Sequence, residues 1–266
     1  MLFLNHFTNS YLICGLFFLF NFIAPNRITH HLSYNILDKE PTNTKDLEKQ
    51  VAAREAVKYI RDNDIVGLGT GSTAYYAILE VAELVKNGMK LKGVPTSEHT
   101  ASLAASLGIE LLDMNSVEYI DVTIDGADEF DENLNLIKGG GGAHFREKIV
   151  ASLTKKEIII ADAAKKVDQL GKFKVPVEIV PLALNYVVRA MEKLGGTGLV
   201  RMKDGKQYIT DNHNLIVDAD FGLIADPAGL SEKLNQIEGI LAHGLFVDLA
   251  AMVIVGQGST AITYTK

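Results

Sequence analysis

Residues 65–86 read IVGLGTGSTAYYAILEVAELVK, and this stretch decides the fold. A short apolar run is followed at once by the glycine-rich loop GTGST at residues 69–73. A helical pattern comes next, with apolar residues recurring from Ile78 to Val85, and Asn87-Gly88 ends it. A strand, a glycine loop and a helix in this order are typical of the opening of a parallel α/β sheet.

The alternation of strand and helix patterns continues on both sides of this stretch. Upstream, Thr44 can cap an amphipathic helix that ends at residues 63–64. Downstream, the predicted strands lie at residues 91–94, 109–112, 120–124 and 157–161, and the predicted helices lie at residues 97–107 and 143–154. The pattern therefore predicts a doubly wound, mostly parallel, Rossmann-like α/β sheet.

A smaller α+β domain is predicted after residue 167. Residues 173–180 form a strand pattern that Pro176 interrupts, which favours an edge position because proline gives no amide proton to the ladder. An amphipathic helix, a hairpin at Asp204-Gly205, a strand and a second helix follow, and residues 246–255 resemble a buried strand returning to the first sheet. The predicted domains are residues 44–168 plus 243–266 for the Rossmann-like domain and residues 169–242 for the inserted one.

Composition limits the class of protein. The net charge of −7 argues against nucleic acid as a partner, because phosphate backbones bind basic surfaces. The single cysteine, Cys14, excludes a disulfide framework and a cysteine-based zinc site and favours a reducing compartment. Residues 11–24 are apolar but fewer than the roughly 20 that span a membrane, and residues 1–10 lack Lys and Arg. Residues 1–43 are expected outside the fold, as an anchor or degenerate signal or as translated upstream sequence.

The glycine loop lies where helix amides and hydroxyl groups can hold an anion. It is not a dinucleotide-binding fingerprint, because Ser72 takes the place of the last glycine, and it lacks the GK[ST] of a Walker loop. The segment expected to meet an anion is the whole loop at residues 67–73. A tight turn capped by Ser72 or Thr73 is the alternative. Lys165, after another predicted strand, is a second position where a phosphate or a hydroxyl can be met.

The acidic turn DGADE at residues 125–129 follows a strand, at the usual ligand edge of an open α/β sheet. The small residues between Asp125 and Asp128 leave space beside both carboxylates. One alternative is an Asp-Gly turn with solvated charges. Another is a metal site to which Glu129 and Asp131 would add oxygen ligands, although the alternating spacing of a calcium loop is missing.

Lys138 precedes four consecutive glycines, and a cation beside a flexible loop can neutralise an oxyanion that develops during a reaction. On the helix that follows, the apolar spacing directs Phe145 and Ile149 toward the core. This orientation leaves Glu147 on a solvated face and predicts His144 at the surface.

The chain contains, in this order, GLGTGST, VTIDGADEFD, LIKGGGGAHFREKIVAS, ADAAKKVDQLGKFKVPVEIVP, KLGG, TDNHNLIVD and GLFVD. Together these segments resemble type A ribose-5-phosphate isomerase over residues 46–266. The resemblance implies the interconversion of D-ribose 5-phosphate and D-ribulose 5-phosphate in the pentose phosphate pathway, without a metal ion or an organic cofactor. It also implies a ferredoxin-like small domain, a homodimer or tetramer, and a cytoplasmic location.

The resemblance further implies roles for individual residues. Glu147, in the REK segment, would be the general base, and Lys138, Asp125 and Asp128 would join it as catalytic residues. The implied substrate contacts are Thr70, Gly71, Ser72, Thr73, Asp125, Gly126, Ala127, Asp128, Lys138, Gly139, Gly140, Gly141 and Lys165. The chain departs from the family pattern at Gly142 and His144, a change expected to alter the loop but to leave activity intact.

Three rival functions stay open at this point. The first is a related enzyme on a similar fold, either a sugar-phosphate deaminase or a CoA-transferase. The second is a sugar-phosphate sensor without catalytic activity, and the third is a metal-dependent isomerase. In each case the expected partner is a small molecule, and no membrane partner is expected for the folded part.

Overall fold

The computed structural model describes residues 43–266, and the predictions for the apolar N-terminal extension and Cys14 lie outside the described residues. The helices are α1 (Thr44–Ala56), α2 (Ala74–Lys86), α3 (Glu98–Ser106), α4 (His144–Leu153), α5 (Leu184–Lys193) and α6 (Pro227–Asn235). The strands are β1 (Ile65–Leu68), β2 (Lys92–Pro95), β3 (Val122–Gly126), β4 (Glu129–Phe130), β5 (Leu136–Ile137), β6 (Glu157–Asp162), β7 (Val175–Ile179), β8 (Thr197–Val200), β9 (Met202–Lys203), β10 (Lys206–Gln207), β11 (Leu215–Asp220), β12 (Ile240–His243), β13 (Leu245–Phe246), β14 (Met252–Gln257) and β15 (Thr260–Thr265).

A six-stranded sheet has the strand order β15-β14-β6-β3-β1-β2. Its neighbouring strands are parallel except for the pair of β14 with the edge strand β15. The register sets Leu68 beside Ile124 and Ile124 beside Ile158, so the carboxyl ends of β1, β3 and β6 meet at one edge. The predicted mixed α/β fold with a mostly parallel sheet is confirmed, and this edge is where such sheets bind ligands.

Helices cover both faces of this sheet, and strand alternation supplies an apolar surface to each. On β6, Ile158 and Ile160 pack in one cluster with the alanines of α1 and with Ile78 of α2. Ile159 and Ala161 point the other way, into a cluster with Ala151 of α4 and with Phe246. Each fully buried aliphatic side chain contributes about 1.5–3 kcal/mol to folding, so these two layers hold the helices against the sheet.

The second part of the fold is a four-stranded antiparallel sheet with the order β12-β7-β11-β8. Along the chain its elements run β7-α5-β8-β11-α6-β12, the βαββαβ arrangement of the ferredoxin-like fold. Val187 and Met191 on α5 pack with Val177, Val217 and Leu234 to form its core. The hairpin from β9 to β10 turns at Asp204-Gly205, where both residues have positive φ, as the sequence predicted.

Pro176 corrects the prediction of an edge strand, because β7 lies inside the small sheet between β12 and β11. The Gly244 amide donates to the Pro176 carbonyl at 2.7 Å. The Gly244 carbonyl, which faces the proline ring nitrogen, accepts instead from the Lys138 amide at 2.9 Å. The missing proline donor is therefore replaced by a segment distant in sequence, and an inner position becomes compatible with proline.

The first helix begins one residue from the predicted cap. Asn43 rather than Thr44 caps α1, and its side-chain oxygen accepts from the Asp46 amide at 3.0 Å. Extended backbone at Asn43 turns this oxygen toward the first helical turn, which is the geometry an N-cap requires.

Two predicted strands also differ in extent. Residues 109–112 contribute a single bridge, from Leu111 to Gly93, because the chain then turns into a short 3₁₀ helix at Met114–Ser116. The predicted strand at residues 246–255 is divided into β13 and β14. Asp248 lies between them with φ of +56°, which interrupts an extended backbone.

Short strands connect the two larger sheets. Strands β13, β5 and β4 form a three-stranded antiparallel sheet, and Lys138 follows β5 directly. The predicted domain boundaries stay a prediction. Within residues 43–266, the helices are all too short or too polar to cross a membrane.

Candidate active site

A cleft of about 650 Å³ lies at the carboxyl edge of the six-stranded sheet. The loop after β1, the turn after β3, the loop after β5, the first turns of α4 and the segment after β6 all reach it. The predicted site residues that line it are Thr70, Gly71, Ser72, Thr73, Gly126, Ala127, Asp128, Lys138, Gly139, Gly140, Gly141, Glu147 and Lys165. The fold thus brings together segments that lie far apart in the sequence.

Asp125 lies beneath this lining and is 1% exposed. Its Oδ1 accepts from the Thr70 amide at 3.0 Å and from the Gly126 amide at 2.7 Å, and its Oδ2 lies 2.9 Å from Lys138 Nζ. Gly69 permits this approach, because a Cβ there would stand 2.2 Å from Asp125 Oδ1. Asp125 therefore ties the glycine loop to Lys138 from below, and its predicted grip on a substrate hydroxyl stays a prediction.

Lys138 is the central cation of the site and is only 2% exposed. Its Nζ contacts Asp125, donates to the Gly126 carbonyl and lies 3.4 Å from Glu147 Oε2. Burial alone would lower its pKa, but the charges of Asp125 and Glu147 outweigh burial and raise the pKa above its ordinary value. The ammonium group therefore stays charged at neutral pH.

Glu147 faces the cleft from the first turn of α4, contrary to the predicted solvated position. The buried face of α4 consists of His144, Glu147, Val150 and Ala151, which recur with helical spacing. Burial raises the pKa of Glu147 to about 8; the charge of Lys138 opposes this rise, and that of Asp125 adds to it. Within residues 43–266, Glu147 Oε2 forms no hydrogen bond of regular geometry, and its ion pair is the 3.4 Å contact with Lys138 Nζ.

His144 corrects a second surface prediction, because it is fully buried at the start of α4. Burial lowers its pKa to about 3, and the nearby cation of Lys148 lowers it as well. The imidazole is therefore neutral, and within the described chain neither ring nitrogen has a hydrogen-bond partner. Helical periodicity failed here because the side chain is polar, although the fold buries it.

The four carboxylates of the alternative metal site have separate partners. Asp128 accepts from the Gly140 amide at 2.7 Å. Glu129 accepts from two amides in residues 171–173, and Asp131 accepts from the amides of Asn133 and Asn135 in its own turn. Within residues 43–266, no group of three or more His, Cys, Asp or Glu is placed to hold a metal ion.

The glycine loop is held by hydroxyl groups on one side and is open on the other. Thr70 Oγ1 lies 2.7–3.1 Å from hydroxyls of residues 96, 97 and 100, so this side chain forms its hydrogen bonds within the protein. Ser72 Oγ accepts from Lys49 Nζ at 3.1 Å. Gly71, Ser72 and Thr73 lie at the start of α2 and face the cleft, where helix amides favour an anion.

Lysines that belong to none of the predicted site motifs also line the cleft. They are Lys45, Lys49, Lys166 and Lys172. Lys45 and Lys49 are spaced i, i+4 on α1, which places both on one face of the helix. This spacing is a signal in the sequence from which the two lysines could have been predicted. With Lys165, they surround the acidic groups with positive charge although the chain is acidic overall.

The family model described as "Ribose 5-phosphate isomerase A (phosphoriboisomerase A)" matches residues 92–260. The ribose-5-phosphate isomerase A of Trichodesmium erythraeum is 44% identical over 227 residues, which cover 84% of this chain and 94% of that protein. The chain belongs to the ribose-5-phosphate isomerase A family.

Solved structures of ribose-5-phosphate isomerases also resemble the chain closely. One is a D-ribose-5-phosphate isomerase in complex with phospho-erythronic acid. It matches with a TM-score of 0.81 at 39% sequence identity, and the match covers 84% of this chain and 100% of the solved chain. Another, ribose 5-phosphate isomerase A from Methanocaldococcus jannaschii, matches with a TM-score of 0.79 at 38% sequence identity. This match covers 83% of this chain and 99% of the solved chain. The resemblance inferred from the ordered motifs is therefore confirmed, and with it membership of a family of isomerases.

Proposed function

We propose that the chain interconverts D-ribose 5-phosphate and D-ribulose 5-phosphate, with Glu147 as the base. The observation that carries the proposal is the buried contact of Lys138 with Asp125 and Glu147 at the floor of a cleft surrounded by lysines. Family membership supports the same reaction. The cleft combines a base of raised pKa, a fixed cation and positive charge for a phosphate.

The reaction moves one proton between adjacent carbons of the open-chain sugar. Glu147 removes the proton from C2, the electron pair forms the C1–C2 double bond, and the carbonyl electrons move onto O1. Lys138 stabilises the resulting enediolate. Glu147 then returns its proton to C1, while the hydroxyl proton on O2 leaves and a proton reaches O1, which gives the ketose. In this proposal Asp128 accepts hydrogen bonds from the substrate hydroxyls, and the proton that leaves O2 passes directly to O1.

The protonation state of Glu147 suits this role. General base catalysis is most effective when the pKa of the base is near the working pH. Burial raises the pKa of Glu147 to about 8, so both its ionised and its protonated forms are accessible during a reaction cycle near neutral pH. Lys138 keeps its charge throughout and therefore provides a constant field at the developing oxyanion.

The phosphate is proposed to bind among the cleft lysines and the amides at the start of α2. A phosphate monoester carries up to two negative charges, and Lys49, Lys165, Lys166 and Lys172 offer ammonium groups around one cavity. Net charge alone would repel such a ligand, so the local clustering of lysines is the relevant feature.

A coupled assay of ribose 5-phosphate turnover in the presence of EDTA tests this function. We expect full activity with the chelator, and loss of activity in EDTA would favour the metal-dependent alternative. Glu147→Gln is expected to lower turnover by about a thousandfold while the protein stays folded and still binds phospho-erythronic acid. Glu192→Gln, at an exposed glutamate on α5, is the matched control and should keep wild-type turnover.

Other outcomes of the same assay separate the rival functions. Ligand binding without turnover by the wild-type chain would favour a sensor. Ammonia release or dependence on acyl-CoA would favour the related enzymes. Near-normal turnover by Glu147→Gln would leave the reaction in place but remove Glu147 as the base.

The homodimer and the cytoplasmic location stay predictions. Two exposed apolar side chains, Leu182 in the turn before α5 at 96% and Leu199 on β8 at 72%, are consistent with association. Light scattering on the purified chain measures the oligomeric state directly.

A further inference from the structure

The glycine loop after β5 is held from outside the cleft by one arginine. Arg201, between β8 and β9, donates from Nη1 to the Gly139 carbonyl at 2.8 Å and to the Gly140 carbonyl at 3.2 Å. Its other two nitrogens contact the Asp218 carboxylate, with Nε at 3.0 Å from Oδ2. The guanidinium thus joins a carboxylate of the small sheet to two carbonyls of the loop that borders the proposed catalytic groups.

The position of this guanidinium is fixed by its own sheet. The Arg201 amide donates to the Ile216 carbonyl at 2.8 Å, and its carbonyl accepts from the Tyr208 amide at 2.9 Å. The side chain is 14% exposed and is absent from the cleft lining. Arg201 therefore has no direct access to a ligand in the cleft, and its effect must pass through the loop.

One peptide plane connects Arg201 to Asp128. The Gly139 carbonyl, held by Arg201, belongs to the same peptide as the Gly140 amide, which donates to Asp128 Oδ2 at 2.7 Å. In a trans peptide the carbonyl and the amide point in opposite directions. Fixing the oxygen on the side of the small sheet therefore directs the N–H at the Asp128 carboxylate.

This peptide needs such a support because of its sequence. Gly139 has φ of +105°, and a Cβ there would stand 2.8 Å from His144 Nδ1, so only glycine fits. Four consecutive glycines have wide conformational freedom, and ordering them is entropically unfavourable. Rotation of the peptide would also turn a carbonyl oxygen toward the Asp128 carboxylate and remove its donor.

We propose that Arg201, anchored by Asp218, is a positioning residue that orients Asp128 through the Gly139–Gly140 peptide. The inference rests on the proposed function, in which Asp128 contacts the substrate hydroxyls. Because Asp128 acts on bound substrate, loss of Arg201 should weaken binding more than it slows the chemical step. A lysine cannot replace Arg201, since one ammonium does not present the planar fork that spans a carboxylate and two carbonyls.

The test measures the Kd of phospho-erythronic acid by calorimetry and kcat and KM for ribose 5-phosphate. Arg201→Met should raise Kd and KM by about ten- to a hundredfold, the loss expected for a charged hydrogen bond, and change kcat by less than about threefold. Arg201→Lys should restore little of this loss. Arg189→Met, at an exposed arginine on α5, is the control and should leave all three constants unchanged.

A double-mutant cycle tests the route through Asp128. In the Asp128→Asn background, Arg201→Met should change the Kd by less than about threefold. If Arg201→Met raises the Kd equally in the wild-type and Asp128→Asn proteins, or leaves the Kd of the wild-type protein unchanged, the proposal is overturned. If Arg201→Met does not fold, Asp218→Asn decides: it should weaken binding in the same direction, and an unchanged Kd would overturn the proposal. Failure of the wild-type chain itself to bind or turn over would instead contradict the proposed function.

Discussion

Glu157 provides a quantitative test of the electrostatics of this fold. It is the first residue of β6, is 2% exposed and lies beside Thr123 in the sheet register. Its Oε2 lacks a hydrogen-bond partner within the described residues. Burial raises its pKa from 4.5 to about 8, the charge of Asp125 raises it further, and that of Lys138 opposes the rise. The native state therefore binds a proton at neutral pH that the unfolded chain releases.

The sign and size of the effect follow from this difference in proton binding. Between the two pKa values the native state binds more protons, so the free energy of unfolding decreases as pH rises. Each pKa unit corresponds to about 1.4 kcal/mol. The raised pKa of Glu157 therefore lowers the free energy of unfolding by about 1 kcal/mol at pH 5 and by about 3 kcal/mol at pH 7. Glu157→Gln removes this titration but keeps a polar, buried amide. The stability of the variant relative to wild type should therefore increase by about 2 kcal/mol from pH 5 to pH 7.

Urea unfolding at pH 5, 6 and 7, at one fixed protein concentration, measures this difference. Groups common to both proteins titrate equally and cancel in the comparison. Glu118→Gln, at an exposed glutamate, controls for the loss of one negative charge. A difference between Glu157→Gln and wild type that stays constant over this pH range, or that decreases, would refute the reasoning.

Two further predictions concern the proposed catalytic groups. Burial raises the pKa of Glu147 to about 8. We therefore expect kcat/KM to rise by nearly tenfold per pH unit below that pKa and to level off above it. A plateau of kcat/KM that is already present at pH 6 would contradict this expectation. Lys138→Met removes the cation that opposes the raised pKa of Glu147, so the rise of kcat/KM should move to higher pH and turnover at pH 7 should fall by at least about a hundredfold. An unmoved profile in a folded Lys138→Met protein, checked by circular dichroism, would exclude this role.

Much of the fold follows from local patterns in the sequence. The strand at residues 65–68, the end of α2 at Asn87-Gly88 and the helix predicted at residues 97–107 all follow the predicted positions. These features depend on neighbours within a few residues, such as caps, turns and apolar spacing. Because the physical causes of these features are local, the features can be predicted from the sequence.

Pro176 marks the first limit of local reasoning. Proline at residue 176 favours an edge strand, yet β7 lies inside its sheet. The lost donor is compensated by Gly244 and Lys138, and the hydrogen bond between them exists only after three separate segments have assembled. Sequence patterns around residue 176 carry no information about such partners.

The orientation of α4 marks the second limit. Apolar spacing favoured Phe145 and Ile149 as the core face, but the structure buries His144 and Glu147. A carboxylate becomes compatible with burial when a cation such as Lys138 lies beside it, and that neighbour arrives from another loop. The family motif identified Glu147, whereas periodicity assigned it to solvent.

By itself, the sequence determined the order of strands and helices, the glycine loops, the acidic turn and the family. These depend on backbone propensity and on motifs that are contiguous in the chain. Only the tertiary structure decided that Asp125, Lys138 and Glu147 share one buried contact. Their pKa values and proposed roles arise from desolvation and from charges brought together across the fold, and both quantities exist only once the chain is packed.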